Sequence, residues 1–119
     1  MFNQPTKAQL AIIPSLYSTE GVPTKDKIIH AHFHLQDSHW FIAEIRDDLM
    51  FGFCILNGNI DMAEWGYVCL EDLKSINIHG IFQVEYDVSW VPKPAGQIEL
   101  IREGGGIFED IDSATDKAF

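Results

Sequence analysis

Lys27-Ile-Ile-His-Ala-His-Phe-His-Leu-Gln-Asp-Ser-His-Trp-Phe-Ile-Ala-Glu-Ile-Arg46 carries the clearest strand signal in the chain and four of its five histidines. Ile29, Ala31, Phe33 and Leu35 alternate with Ile28, His30, His32 and His34. A period of two predicts a half-buried strand. Gln36-Asp37-Ser38 follows with turn chemistry, because Asp and Ser side chains bond nearby backbone amides. Trp40 to Arg46 then returns, rich in aromatic and β-branched residues. The stretch is therefore a hairpin. Whether the loop has two or four residues, the faces match in the same way. Ile29, Ala31, Phe33, Leu35, Trp40 and Ile42 form the expected core face. His30, His32, His34, Phe41, Ala43 and Ile45 form the other, which is half apolar and calls for a cover: a helix, the tail or a partner.

The flanking chain completes an α+β pattern. Thr6 caps an expected short helix, Lys7 to Ile13, limited by Pro14. Leu16 and Tyr17 belong to a loop expected to tuck against the sheet. Leu49 to Leu56 is apolar on both faces, the mark of a central covered strand, with Gly52 where a neighbour approaches closely. Asn57-Gly58-Asn59 is a turn, and Ile60 to Ala63 an irregular excursion. Glu64 to Cys69 reads as a strand, Leu70 to Ile76 as a helix with Leu70, Leu73 and Ile76 buried. Ile81 to Val91 holds a last strand or a loop and a shorter one, closed by Pro92 and Pro94. Gln97 to Arg102 is a short strand or helix. The expected architecture is one α+β domain over 1–103, mainly an antiparallel sheet of about five strands with short helices. Residues 104–119 form a glycine joint, Gly104 to Gly106, and an acidic tail.

At 119 residues the chain is long enough for a core without disulfides or metal. No apolar run approaches the ~20 residues of a membrane span, and the first residues lack a signal-peptide pattern; a cytoplasmic protein is expected. Cys54 and Cys69 lie on predicted strands as reduced small hydrophobes. Eighteen acids against eight Lys and Arg give a net charge of −10. Without a basic cluster, direct nucleic-acid binding is excluded. Such a chain attracts basic protein surfaces instead, including those that bind nucleic acid.

Three chemistries compete for the histidines and acids. His32, His34, Asp37 and His39 are the candidate metal ligands of a small hydrolase or nucleotide binder. His30 and His34 are roughly 13 Å apart along a strand, too far to share an ion bound at ~2.0–2.1 Å. Phe41 on the half-apolar face suits a homodimeric adaptor. Asp47, Asp48, Glu64, Glu71, Asp72, Glu85 and Asp87, with Phe41, suit a non-enzymatic surface for a basic partner. No Walker loop, GxSxG elbow or HExxH is present, and no cofactor is implied. The partner-binding role is the expected one.

Several segments occur in a recognisable order: Leu16-Tyr17-Ser18, His30-Ala31-x-Phe33, Asp37-Ser38-x-Trp40, Phe51-Gly52-Phe53, Glu64-x-Gly66-Tyr67-x-x-Leu70-x-x-Leu73 and Glu85-x-Asp87. Together they resemble the DUF2958 family of small bacterial and mobile-element proteins, from about residue 10 to about residue 95. The resemblance implies no established enzymatic activity. Its mobile-element setting implies an accessory or anti-defence role, such as inhibition of a host nucleic-acid-targeting complex by a DNA-mimic-like surface. His32, His34 and His39 stand where the family tends to carry Lys, Thr and Asn. Cys69 stands where Ser is usual, at the expected helix start.

Overall fold

The computed structural model describes residues 1–107. Nine strands occur there: β1 (Ile28–Ile29), β2 (Ala31–Leu35), β3 (Ser38–Arg46), β4 (Leu49–Ile55), β5 (Glu64–Cys69), β6 (Asn77–Ile78), β7 (Phe82–Gln83), β8 (Glu85–Tyr86) and β9 (Lys93–Pro94). The helices are α1 (Lys7–Ala11), α2 (Leu70–Ser75) and α3 (Glu99–Glu103). One five-stranded sheet in the order β5-β4-β3-β2-β8 is antiparallel throughout. The pairs β1-β9 and β6-β7 stand apart from it.

The hairpin forms with the tighter loop. Leu35 pairs with Ser38 across Gln36-Asp37. Asp37 and Ser38 also fix the next turn: Asp37 O accepts from Gly58 N at 2.9 Å, and Ser38 Oγ accepts from Asn57 N at 2.9 Å. Ala31, Phe33, Trp40 and Ile42 enter one core with Met50, Leu70, Leu73, Val84 and Tyr86. Phe41, Ala43, Phe53 and Ile55 enter a second with Ala95, Ile98 and Ile101. The half-apolar face is thus covered by the chain itself, through the segment that ends in α3.

Two residues change face relative to the simple alternation. Ile29 packs in the second core, because His30 interrupts the strand between β1 and β2 and resets the period. Ile45 packs against the first core, because β3 bulges. Its register against β4 passes from Ile42↔Gly52 to Glu44↔Phe51, leaving Ala43 unopposed. A bulge re-aims the residues after it. Here it turns Glu44 away from the apolar core of Trp40 and Ile42. Opposite the bulge, a Cβ on Gly52 would sit 2.1 Å from Phe41 O, so the close approach expected at Gly52 is real.

The remaining elements are shorter than the apolar pattern suggests. Val84 and Tyr86 are buried, whereas Phe82 and Val88 are exposed, and Ile81 to Val91 yields only β7 and β8. Thr6 caps α1 with a reciprocal Gln9 bond, as its position predicts. Leu16 is buried, but Tyr17 is 50% exposed. Gly104 and Gly106 lie against Phe53, and Gly106 O accepts from Trp65 Nε1 at 2.8 Å. The stretch expected as a joint therefore packs on the sheet as far as Ile107. The tail beyond it lies outside the described residues. No helix among those residues is long and apolar enough to cross a membrane.

Candidate functional site

The acidic residues proposed from the sequence do not gather into one surface. Asp47 and Asp48 lie in the β3–β4 turn beside Glu71 and Asp72 at the start of α2. Glu64 begins β5, roughly 17 Å of strand from Cys69. Glu85 and Asp87 lie at β8, the opposite edge of the sheet, about 19 Å away at normal strand spacing. Several are also engaged. Asp48 caps α2: its Oδ1 accepts from Glu71 N at 3.1 Å, and its backbone O from Leu70 N at 2.8 Å. It replaces the cap that Cys69 does not provide. Glu85 lies 3.7 Å from His34 Nε2. Among the described residues these acids lie at separate ends and edges of the sheet. Phe41 is 2% exposed and belongs to the second core, so neither a partner nor a second copy reaches it.

The histidines form a hydrogen-bonded chain. His32 Nδ1 is 3.1 Å from Asp87 Oδ2, and His32 Nε2 is 2.9 Å from His39 Nδ1. The two rings are nearly parallel, at 8°, and His32 also stacks on Phe41. Asp87 accepts from Ser89 N and Oγ. Burial pushes the Asp87 carboxyl up, but its bonds from Ser89 and His32 outweigh that and hold it below the usual range. Burial lowers His32 to about 4, against the pull of Asp87. Burial, then the charge of His34, also lowers His39. With an anionic Asp87, the tautomers follow: His32 donates from Nδ1, and His39 donates from Nδ1 to His32 Nε2. Both His32 nitrogens are consumed. No group of three His, Cys, Asp or Glu among the described residues is arranged to hold a metal ion. The set His32, His34, Asp37 and His39 does not converge as ligands, because the rings bond one another and the Asp37 backbone serves the turn. Cys54, raised to about 11 by burial and then by Glu64, is an inert thiol.

The built site lies elsewhere on the same face. A cleft of about 380 Å³ is lined by Tyr17, Glu20, Thr24, Lys27, Glu44, Phe51, Trp65 and Tyr67. Its floor is polar and buried: Glu44 is 3% exposed and Lys27 7%. Glu44 Oε1 accepts from Tyr17 N at 2.8 Å, and Oε2 from Thr19 N at 3.0 Å and from Thr19 Oγ1. Lys27 Nζ donates to Thr19 O and, at 3.0 Å, to Thr19 Oγ1. Thr19 thus links the two buried charges, and together they pin the loop onto the sheet. The pinned loop holds Tyr17 at φ 69°, a left-handed conformation that costs a non-glycine residue ~1–3 kcal/mol.

The walls are aromatic. Phe51 and Trp65 stack at 5.6 Å and 16°, and Tyr67 tilts against Phe51 at 5.2 Å. Tyr17 and Tyr67 are half exposed. Arg46 lies over the Tyr17 ring at 5.6 Å. Thr24 Oγ1 is the one buried side-chain polar atom without a partner among the described residues. A cleft with aromatic walls and a few buried polar groups is the usual form of a binding site.

None of the cleft residues is among those the sequence marks for their chemistry. Three, Tyr17, Phe51 and Tyr67, do stand in segments that carry the family resemblance. The missing signal was the bulge, which alone brings Glu44 to this face.

A protein-family model described as a protein of unknown function (DUF2958) matches residues 8–98. No curated protein and no solved structure matches the chain.

Proposed function

We propose that this chain, which belongs to the DUF2958 family, acts by occupying a basic surface of another protein and carries out no turnover. The aromatic cleft over buried Glu44 and Lys27 supports this reading most directly. Exposed Tyr and Trp side chains around a partly desolvated pocket are typical anchors of protein interfaces. The net charge of −10 steers basic partners towards such an anchor and repels phosphate backbones. The nucleic-acid-binding surface of a host defence protein is the partner class that joins this charge to the family's mobile-element setting. In this form the inhibitor works by a focused anchor within a negative field, not by copying a phosphate ladder.

The test is competition. Added to a basic DNA-binding nuclease at low salt, the chain is expected to displace DNA from it, and to lose that effect as salt screens the charges. It should not bind duplex DNA itself. Unchanged DNA binding by the nuclease at low salt, or hydrolysis of a nucleotide by the purified chain, would contradict the proposal.

A further inference from the structure

Thr24 is buried at 6% exposure, lines the cleft, and its hydroxyl has no partner among the described residues. An unpaired buried hydroxyl is costly to a fold, so one that persists calls for an explanation. A valine would fill the same volume without that cost. The oxygen itself lies behind the cleft wall, so Thr24 shapes the floor and offers an occupant no direct bond.

The free acceptor is Glu20. Its backbone N bonds Tyr17 O, but no donor among the described residues reaches its carboxylate. Glu44 and Lys27 are already committed to the loop. An occupant thus meets flat aromatic faces and one carboxylate at the rim. Anionic occupants are disfavoured by the net charge. A group that is planar, cationic and rich in forked N–H donors fits both features, and guanidinium has this chemistry. It stacks on aromatic rings and pairs a carboxylate with two parallel bonds. Lysine's ammonium is a compact, strongly hydrated charge and lacks the flat face. The rim already shows the stacking geometry once, with Arg46 over Tyr17.

We propose that the cleft between Tyr17, Phe51, Trp65 and Tyr67 takes an arginine side chain of the basic partner, its guanidinium stacked on the rings and bonded to Glu20. This deepens the proposed function and rests on it. The site distinguishes arginine from lysine, which charge attraction alone does not.

The probes are two peptides of equal length and charge, nona-arginine and nona-lysine, titrated calorimetrically at low salt. The arginine peptide is expected to bind roughly five- to thirtyfold tighter. Glu20→Gln and Tyr67→Ala, both surface changes, should each remove most of that preference. Thr24→Val, whose hydroxyl lies behind the wall, should raise Tm and leave the preference in place. Equal affinities, or a preference that survives both Glu20→Gln and Tyr67→Ala, would overturn the inference. In that case salt-sensitive binding of both peptides leaves the broader proposal standing. Binding of neither peptide refutes both.

Discussion

The histidine chain and the aromatic cleft share one face of one sheet, yet they are opposite kinds of site. Around His32, buried polar atoms satisfy one another from Asp87 to His39. Around Thr24, a buried hydroxyl is left over and the walls stand open. The first group is conspicuous in the sequence and closed in the structure. The second is inconspicuous in the sequence and open in the structure. Density of chemically capable residues is therefore a poor guide to function compared with what those residues leave unsatisfied.

The sharpest way to break this contrast is to attack what the two regions share. Phe41 stacks on His32 and lies in the second core. Phe41→Ala is expected to cost about 3–5 kcal/mol in urea unfolding, with no change in solution mass. A shift in oligomeric state without loss of stability would restore the dimer reading. Next in size is the floor of the cleft. Glu44→Ala strands the backbone donors of Tyr17 and Thr19 and leaves Lys27 uncompensated. It should cost about 3 kcal/mol and release the loop, seen as faster amide exchange at Tyr17 to Glu20. Unaltered exchange there would mean that the carboxylate does not hold the loop.

Acidification tests the histidine chain alone. The fold keeps His32 neutral by burial, at about 4 against an ordinary 6.5. Below 6.5 the unfolded chain takes up a proton that the fold refuses. The stability contributed is therefore intact above that value and is lost as pH falls towards 4. His39, lowered by burial and His34, adds in the same direction. Asp87, held low after its hydrogen bonds outweigh burial, gives way only at more acid pH. The expected loss between pH 7 and 4 is up to about 3 kcal/mol from His32. His32→Phe should flatten that slope, and an unchanged slope would show that other groups dominate. The smallest effect belongs to the cleft: Thr24→Val should stabilise by about 1 kcal/mol, read as a higher urea midpoint. A lower midpoint would mean that the hydroxyl already has a partner.

Much of the scaffold was legible from the residues. The alternation of Ala31 to Leu35, the turn chemistry of Asp37-Ser38 and the two-sided apolarity of Leu49 to Leu56 each act locally, so a pattern suffices to place them. The bulge at Ala43 was not legible, because it depends on how β3 meets Gly52 in β4. It moved Ile45 into the first core and Glu44 out of it. The cleft then needed five segments: the 16–20 loop, the stretch with Thr24 and Lys27, Glu44 on β3, Phe51 on β4, and Trp65 and Tyr67 on β5. Only its aromatic residues left a trace, in segments shared with the family. The acidic residues misled for a related reason. Composition records their number, while position on the sheet decides whether they form a patch, and here Glu64 and Glu85 lie on opposite edges.

The most direct measurement is an amide and side-chain chemical-shift map of the protein titrated with the arginine peptide. Binding at the cleft predicts shifts concentrated on Tyr17, Glu20, Thr24, Phe51 and Tyr67, with the Trp65 indole moving among the largest. Shifts centred on Asp47, Asp48, Glu71 and Asp72, or spread evenly over the acids, would contradict it.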